Sequence, residues 1–205
     1  MGAVTTAGRQ DRPATADNWA FPPPDGWTVD QVADLWLPFA WELVDGLIAP
    51  RGLMVPWHNL VRQGIHRHLA DVAPRTLAVL SREWVPVDER NVAAPDVIVV
   101  DRSGLDLMED AEIPARNAVL MVEVVAPCSR QDDRVRKPAL YASAGVKNYW
   151  CVERGEDGMP EVHEFWLRKE TGQYVSAFDR PVHTGKLETD RPFPVVIDLA
   201  SLVEL

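Results

Sequence analysis

At 205 residues, with 46% hydrophobic and 25% charged residues, the chain has a globular composition and room for one domain with its own core. No apolar run approaches the roughly 18–20 residues of a membrane-spanning helix, and two cysteines are too few for a disulfide framework or a metal cluster, so we expect a cytoplasmic protein without membrane contact. The formal net charge of −10 argues against broad, sequence-independent binding to nucleic acid, although carboxylates that hold Mg²⁺ would also raise the acidic count.

The N-terminal part of the sequence combines a polar arm with two short structured elements. Residues 1–26 are small, polar and proline-rich, so we expect a disordered or loosely attached arm, with residues 27–205 forming a single domain. Thr28 followed by Gln31 matches a capping box and predicts a short helix that continues toward the next proline. Two short apolar segments around an Asp-Gly pair predict a β-hairpin over residues 41–48.

Helical and strand patterns alternate in the middle of the chain. Apolar residues recur at spacings of three and four over residues 57–72 and predict an amphipathic helix. One strand is predicted within residues 77–87 and a second over residues 97–100. The run VLMVEVV, residues 119–125, predicts a buried strand with one carboxylate in its centre.

The last third of the chain predicts one crossover helix followed by strands. A polar turn leads into a helix over residues 134–144, and Gly145 stands where a C-cap glycine belongs. A strand is predicted at 148–153, and residues 162–167 with 173–177 predict a hairpin before a last strand and short helix. This order predicts an α/β or α+β fold with a mixed central sheet flanked by helices.

Asp96 and Glu123 are the first candidates for chemistry. Asp96 stands at the beginning of its strand, and Glu123 lies within the next strand. If these strands pair, both carboxylates can converge at one edge of the sheet, and a pair of hard oxygen ligands suits Mg²⁺. The alternative is that Asp96 caps a turn and that Glu123 forms a buried ion pair.

Lys137 is the third candidate, 14 residues beyond Glu123 in the first turns of the predicted helix. Arg134, Lys137 and Tyr141 form a row at spacings of three and four along one helix face. A lysine directed from the helix start toward Glu123 could orient a water molecule or stabilise charge on a phosphate. A solvated basic helix face is the alternative interpretation.

Three motifs resemble the Uma-two family of restriction endonucleases, a branch of the PD-(D/E)XK nuclease superfamily. The motifs are APDVIVV with Asp96, VEVVAPCS with Glu123, and KPALYASAGVKNYWCVE with Lys137, Tyr141, Gly145, Tyr149 and Trp150. The resemblance runs from about Trp41 to the C-terminus and includes the early ELVDG segment. It implies a restriction-endonuclease-like core within a single PD-(D/E)XK nuclease-like domain.

The resemblance also implies roles for individual residues. The superfamily's general pattern has a lysine two residues after the glutamate, where this chain has Val125, so Lys137 would supply that function from the helix. Glu42 matches the family's early acidic position and would assist the site, although it could simply be a polar hairpin residue. His58 falls where the family often carries a histidine.

These features together predict a metal-dependent endodeoxyribonuclease. Asp96 and Glu123 would bind Mg²⁺, with Mn²⁺ as a substitute, and Lys137 would position the nucleophilic water. The residues Arg130, Arg134 and Arg136 are candidates for contact with the DNA backbone, and a homodimer is expected because related nucleases pair to cut two strands. Two rivals stay open: a catalytically dormant nuclease-fold module that serves as a binding or regulatory partner, and a hydrolase of RNA or a small phosphodiester.

Overall fold

The computed structural model describes residues 12–109, 112–127, 129–176 and 181–204. Expectations for residues 1–11 and for Cys128 lie outside the described residues. The fold divides into two compact units, which we describe separately. One contains the described residues up to Arg51 together with Pro86–Ala93, and the other contains Gly52–Val85 and the chain from Ala94 onward.

The described residues form three α-helices, thirteen strands and short 3₁₀ or π turns. The helices are α1 (Val29–Val32), α2 (Pro56–Val72) and α3 (Lys137–Ser143). The strands are β1 (Trp41–Val44), β2 (Leu47–Pro50), β3 (Leu77–Leu80), β4 (Val85–Asp88), β5 (Asn91–Ala93), β6 (Val97–Asp101), β7 (Ala118–Val124), β8 (Asn148–Arg154), β9 (Pro160–Arg168), β10 (Gln173–Ser176), β11 (Val182–Thr184), β12 (Lys186–Thr189) and β13 (Val195–Asp198).

The first unit contains the predicted capped helix and hairpin. Thr28 caps α1 through the expected capping box, although α1 ends at Val32, earlier than the pattern suggests. β1 and β2 pair in an antiparallel hairpin, and both turn residues have positive φ, 49° at Asp45 and 78° at Gly46. This is the conformation that an Asp-Gly hairpin turn requires, so the hairpin prediction is confirmed.

Residues 12–26 differ from the expectation of a loosely attached arm. The amide of Ala14 donates to the carbonyl of Gln31 at 2.8 Å, and the indole of Trp27 donates to the carbonyl of Trp19 at 2.9 Å. Ala14 and Asn18 are buried. Composition indicated disorder here, but these hydrogen bonds hold residues 12–26 in the first unit.

The second unit is built on a seven-stranded mixed sheet. The strand order is β10-β9-β8-β7-β6-β3, with β11 added along β9. β7 and β8 are parallel, whereas the other neighbours are antiparallel. A parallel pair needs a crossover connection, and here that connection contains α3. The mixed sheet with flanking helices confirms the predicted fold class.

The strand expected within residues 77–87 is wrong as a single element. β3 belongs to the seven-stranded sheet, and β4 pairs with β5 in the four-stranded sheet of order β2-β1-β5-β4. Between them Arg82 adopts a left-handed conformation with φ of 59°. Because residues that favour β-strands stand on both sides of Arg82, the sequence pattern did not reveal the break between β3 and β4.

The main core lies between α2 and one face of the sheet. Val61, Ile65 and Leu69 of α2 pack with a cluster that includes Leu120 and Val122 of β7. The helix thus buries the apolar side that the sequence pattern predicted. Alternation along β7 then directs Glu123 to the opposite face. None of the helices in the described part of the chain is long and apolar enough to cross a bilayer.

Candidate active site

Asp96 and Glu123 lie opposite each other at one end of the seven-stranded sheet. β6 and β7 are antiparallel with Val97 opposite Val122, so continuing the register by one residue brings Asp96 opposite Glu123. Directly opposed residues on antiparallel strands project from the same face. Each residue is only 1% exposed. The strand pairing on which the predicted convergence depends is therefore present.

Glu123 accepts two hydrogen bonds on the same oxygen. Nζ of Lys137 lies 3.0 Å from Oε1, and the Tyr141 hydroxyl donates to Oε1 at 2.6 Å. Both donors come from α3, one helical turn apart. A carboxylate in an apolar strand is tolerated when charged and hydroxyl donors compensate its desolvation, as they do here.

The crossover helix begins with a π turn in place of the regular α-helix that the sequence predicted. Residues Asp132–Arg136 form a π turn, and the regular helix begins only at Lys137. Lys137 is buried and Arg134 is exposed, so the proposed row of Arg134, Lys137 and Tyr141 on one helix face is not formed. Short π segments often occur at functional sites, and this one precedes the two donors to Glu123.

Asp96 is held by donors from three parts of the second unit. The amide of Val124 donates to Oδ2 at 3.0 Å, and Nε2 of His58 lies 3.0 Å from the same oxygen. Nε of Arg82 lies 3.9 Å from Oδ1. The amide of Val124 lies beyond the paired part of β6, which begins at Val97. The Asp96 side chain therefore accepts the hydrogen bond of this amide in place of a strand carbonyl. The Asp96 carboxylate is therefore compensated by donors from β7, α2 and the segment between β3 and β4.

His58 is a core residue in contact with the candidate site. It is 1% exposed at the start of α2. Its Nε2 faces Asp96, whereas Nδ1 is buried without a hydrogen-bond partner among the described residues. Since the carboxylate requires a donor, the proton is assigned to Nε2. The histidine therefore orients Asp96 directly.

Asp133 is a buried site residue that sequence reasoning missed. The Ser129 hydroxyl donates to its Oδ2 at 2.5 Å, and Nζ of Lys137 lies 3.3 Å from its Oδ1. Burial raises the pKa of the Asp133 carboxyl, Lys137 partly opposes that shift, and the charge of Asp96 reinforces it. The Tyr149 hydroxyl donates to the Asp133 carbonyl at 2.5 Å and so holds the π turn. The spacing of four residues to Lys137 was the available signal.

The three arginines proposed for DNA contact have different environments. Arg134 forms a bidentate pair with Glu153, and Nε of Arg136 donates to Asp132 at 3.0 Å. The Arg134 guanidinium lowers the pKa of Glu153. Arg130 is exposed. Two of the three positive charges are thus already matched by carboxylates.

Glu42 lies on β1 in the first compact unit, whereas Asp96, Glu123 and Lys137 belong to the second. It is 7% exposed. The strand position fits the predicted hairpin, and its catalytic role stays a prediction.

The donor set allows a limited kind of metal site. Among the described residues, no group of three or more His, Cys, Asp or Glu side chains is arranged to hold a metal ion. Mg²⁺ is commonly bound through one or two carboxylates, with water and substrate phosphate in its other positions. Asp96 and Glu123 therefore fit Mg²⁺ held in this way, and the site does not fit an ion held wholly by protein ligands.

A second buried polar cluster lies on the other face of the sheet. Glu164 accepts from Thr189 at 2.7 Å and lies 3.1 Å from Nε2 of His183. Glu164 is opposite Trp150, which belongs to the α2-facing core. These contacts join β9, β11 and β12 beside a cavity of about 910 Å³. We interpret the cluster as structural, because its carboxylate is satisfied by neighbouring strands.

Comparisons with known proteins identify the family and the fold. Residues 37–200 match the family described as "Uma2: Putative restriction endonuclease". The crystal structure of a "putative nuclease belonging to DUF820" from Anabaena variabilis superposes with a TM-score of 0.61 at 16% sequence identity, covering 85% of this chain and 96% of that chain. None of the curated proteins matches the chain. The structural likeness supports the nuclease-like fold, and the family match covers both candidate carboxylates.

Proposed function

The chain belongs to the Uma2 family of restriction endonucleases, and from this premise we propose that it is a Mg²⁺-dependent endonuclease that hydrolyses phosphodiester bonds of DNA. The observation that supports the proposal best is the meeting of Asp96, Glu123 and Lys137 at one end of the sheet. Three ionisable side chains with almost no solvent exposure are costly to bury and concentrate at functional sites.

The three residues divide two roles in the proposed reaction. Asp96 and Glu123 would hold Mg²⁺, or Mn²⁺ as a substitute, which would polarise the phosphoryl group as a Lewis acid and activate a bound water. Lys137 orients the attacking water and donates to the developing negative charge on phosphate oxygens. Tyr141 and His58 fix the orientation of the two carboxylates through the observed contacts.

The proposal also covers the contacts with DNA, the pairing of two copies of the chain and the cellular compartment. Arg130 provides an exposed cation near the start of the π turn, and Arg134 and Arg136 would exchange their carboxylate partners for DNA phosphates. Two copies of the chain would pair so that each cuts one strand. The protein would act in the cytoplasm.

Cleavage assays with conservative variants test the proposal. Supercoiled and linear DNA are incubated with the full chain and Mg²⁺ or Mn²⁺, with RNA and a small phosphodiester as parallel substrates. We expect Asp96→Asn, Glu123→Gln and Lys137→Met each to lower the cleavage rate by on the order of 100-fold or more. Glu164→Gln, which alters a buried carboxylate on the opposite sheet face, is the matched control and should retain cleavage. Equal rates in wild type and Glu123→Gln would refute the assignment.

A catalytically dormant module is the second candidate, and one observation favours it. Asp96 and Glu123 already accept hydrogen bonds from protein donors, as a purely structural carboxylate would. Calorimetric titration with Mn²⁺ separates the two candidates. Heat of binding that disappears in Asp96→Asn supports the endonuclease, whereas no binding together with no cleavage supports the dormant module.

A further inference from the structure

Arg82 lies at the same end of the seven-stranded sheet as Asp96 and Glu123. β3 and β6 are antiparallel, and continuing their register by two residues beyond the last pair brings Arg82 beside Asp96. The amide of Arg82 donates to the carbonyl of Pro95 at 3.0 Å, which joins the chain after β3 to the residue that precedes Asp96. Arg82 therefore follows the strand on one side of β6, and Glu123 belongs to the strand on the other side.

The Arg82 guanidinium contacts Asp96 and is also accessible to solvent. Its Nε lies 3.9 Å from Oδ1 of Asp96, and its Nη2 donates to Oδ1 of Asn59 at 3.3 Å. The Arg82 side chain is 41% exposed, whereas that of Asp96 is 1% exposed. The side chain of Lys137, the cation beside Glu123, is only 5% exposed and lies between two buried carboxylates. A phosphate at this end of the sheet would therefore reach the charge of Arg82 more easily than that of Lys137.

The backbone of Arg82 adopts a conformation that arginine rarely has. Its φ of 59° is in the left-handed region, which glycine adopts without strain and asparagine and aspartate tolerate better than other residues. A turn that needed only this backbone conformation would favour glycine. Strained residues persist where surrounding contacts hold them, and they concentrate at binding and catalytic sites. The strain therefore points to a role for the arginine side chain.

A guanidinium at this position suits a phosphodiester. It is planar, stays charged, and offers paired N–H donors that match two oxygens of a phosphate. Asp96, Glu123 and Asp133 are buried at this end of the second unit, and ionised carboxylates repel an anionic backbone. A cation at the exposed border of these carboxylates lowers that repulsion where a nucleic acid would approach.

We propose that Arg82 binds a non-bridging oxygen of the DNA phosphate that is held beside Asp96. The inference rests on the proposed function, because it assigns a substrate contact to that same site. The separation of 3.9 Å is at the outer limit for an ion pair, so the contact with Asp96 is weak and can exchange for a phosphate oxygen. Arg82 is thus a substrate-binding residue, and Asn59 positions its guanidinium.

Fluorescence anisotropy with a labelled DNA duplex in EDTA tests the inference without cleavage. Arg82→Gln is compared with Arg67→Gln, which removes the same charge from an exposed position of α2, nine residues beyond His58. We expect Arg82→Gln to bind on the order of tenfold more weakly and to lower the salt slope of log K by about 1, because one phosphate contact is lost. Arg67→Gln should resemble wild type.

A second variant separates the charge of Arg82 from the shape of its guanidinium. Arg82→Lys keeps the positive charge, so it should retain most of the salt slope. It should still bind more weakly than wild type, because an ammonium does not match two phosphate oxygens. Urea unfolding of all variants measures their stability in parallel.

The outcomes distinguish this inference from the proposed function. Binding that depends on Arg82, without cleavage by wild type in Mg²⁺ or Mn²⁺, would support the phosphate contact and refute the nuclease. Cleavage by wild type together with equal affinities and salt slopes in Arg82→Gln and wild type would overturn the role of Arg82 and leave the nuclease in place. Reduced stability of Arg82→Gln with an unchanged salt slope would show that Arg82 only compensates the charge of Asp96, which also overturns the inference.

Discussion

Lys137 and Glu123 form a buried ion pair, with Nζ of Lys137 3.0 Å from Oε1 of Glu123 and side chains 5% and 1% exposed. The same ammonium lies 3.3 Å from Oδ1 of Asp133. One cation therefore compensates two carboxylates that have little access to water. The arrangement links the stability of the fold to the residues proposed for catalysis.

Replacing Lys137 with methionine should destabilise the protein strongly. The substitution leaves Glu123 and Asp133 buried without their shared cation, so we expect the free energy of unfolding to fall by about 3–5 kcal/mol. Urea unfolding measures the change. Lys186→Met is the control, because Lys186 pairs with Glu188 at the surface and should change stability by about 1 kcal/mol or less. Similar losses in the two variants would contradict the expectation.

Removing the Tyr141 hydroxyl should cost more than removing that of Tyr174. The Tyr141 hydroxyl donates to the carboxylate of Glu123 at 2.6 Å, whereas Tyr174 donates to the neutral carbonyl of Val146 at 2.8 Å. We expect losses of about 1.5–3 kcal/mol for Tyr141→Phe and about 0.5–1.5 kcal/mol for Tyr174→Phe. Denaturant unfolding of the two variants gives the comparison. The reverse order would contradict the expectation.

Asp133 should make stability depend on pH. Burial raises the pKa of its carboxyl above the ordinary value of 3.8. The unfolded chain then releases this proton first, so the stability from Asp133 is complete below about pH 3.8 and is lost as pH rises through the folded pKa. Asparagine at position 133 cannot ionise, so the variant Asp133→Asn does not lose this stability. The free energy of unfolding of the variant, relative to that of wild type, should therefore increase from acidic to neutral pH. Urea unfolding across this range, with exposed Asp132→Asn as the charge-matched control, provides the measurement.

Cys151 should resist thiol reagents in the folded protein. Burial is the main cause that raises the pKa of its thiol from 9.0 to about 12, so almost no reactive thiolate exists at pH 8. In a Cys128→Ser background, we expect iodoacetamide to label Cys151 only after denaturation in guanidinium. Mass spectrometry of native and denatured samples measures the difference. Rapid labelling of the native protein would show that this part of the sheet opens frequently.

The sequence was sufficient to predict the strand that carries Glu123, because the pattern that identifies this strand is local. The run of apolar residues around Glu123 identified β7, and the likeness of the flanking motifs to one family identified Lys137 as its partner. Strand alternation then directed Glu123 away from the α2-facing core. The strand and its alternation need only spacing and neighbouring residues, whereas the role expected for Lys137 also depends on the resemblance to a family.

The features that escaped prediction depend on long-range contacts or on backbone geometry. The burial of Asp133 follows from a π turn that helical periodicity does not signal. The separation of β3 from β4 depends on the left-handed conformation of Arg82, a residue type without a strong preference for it. The contact between His58 and Asp96 joins elements 38 residues apart, which no local pattern specifies.

The parallel pairing of β7 with β8 concentrates Glu123 and three of its neighbours on one stretch of chain. Asp133, Lys137 and Tyr141 all lie on the connection that leaves β7 and returns beside it. A residue gained or lost in the helical part of this connection before Lys137 would rotate the lysine and the tyrosine by roughly 100°. We therefore expect the length of the chain between Glu123 and Tyr141 to matter more to the site than the identities of most residues within it.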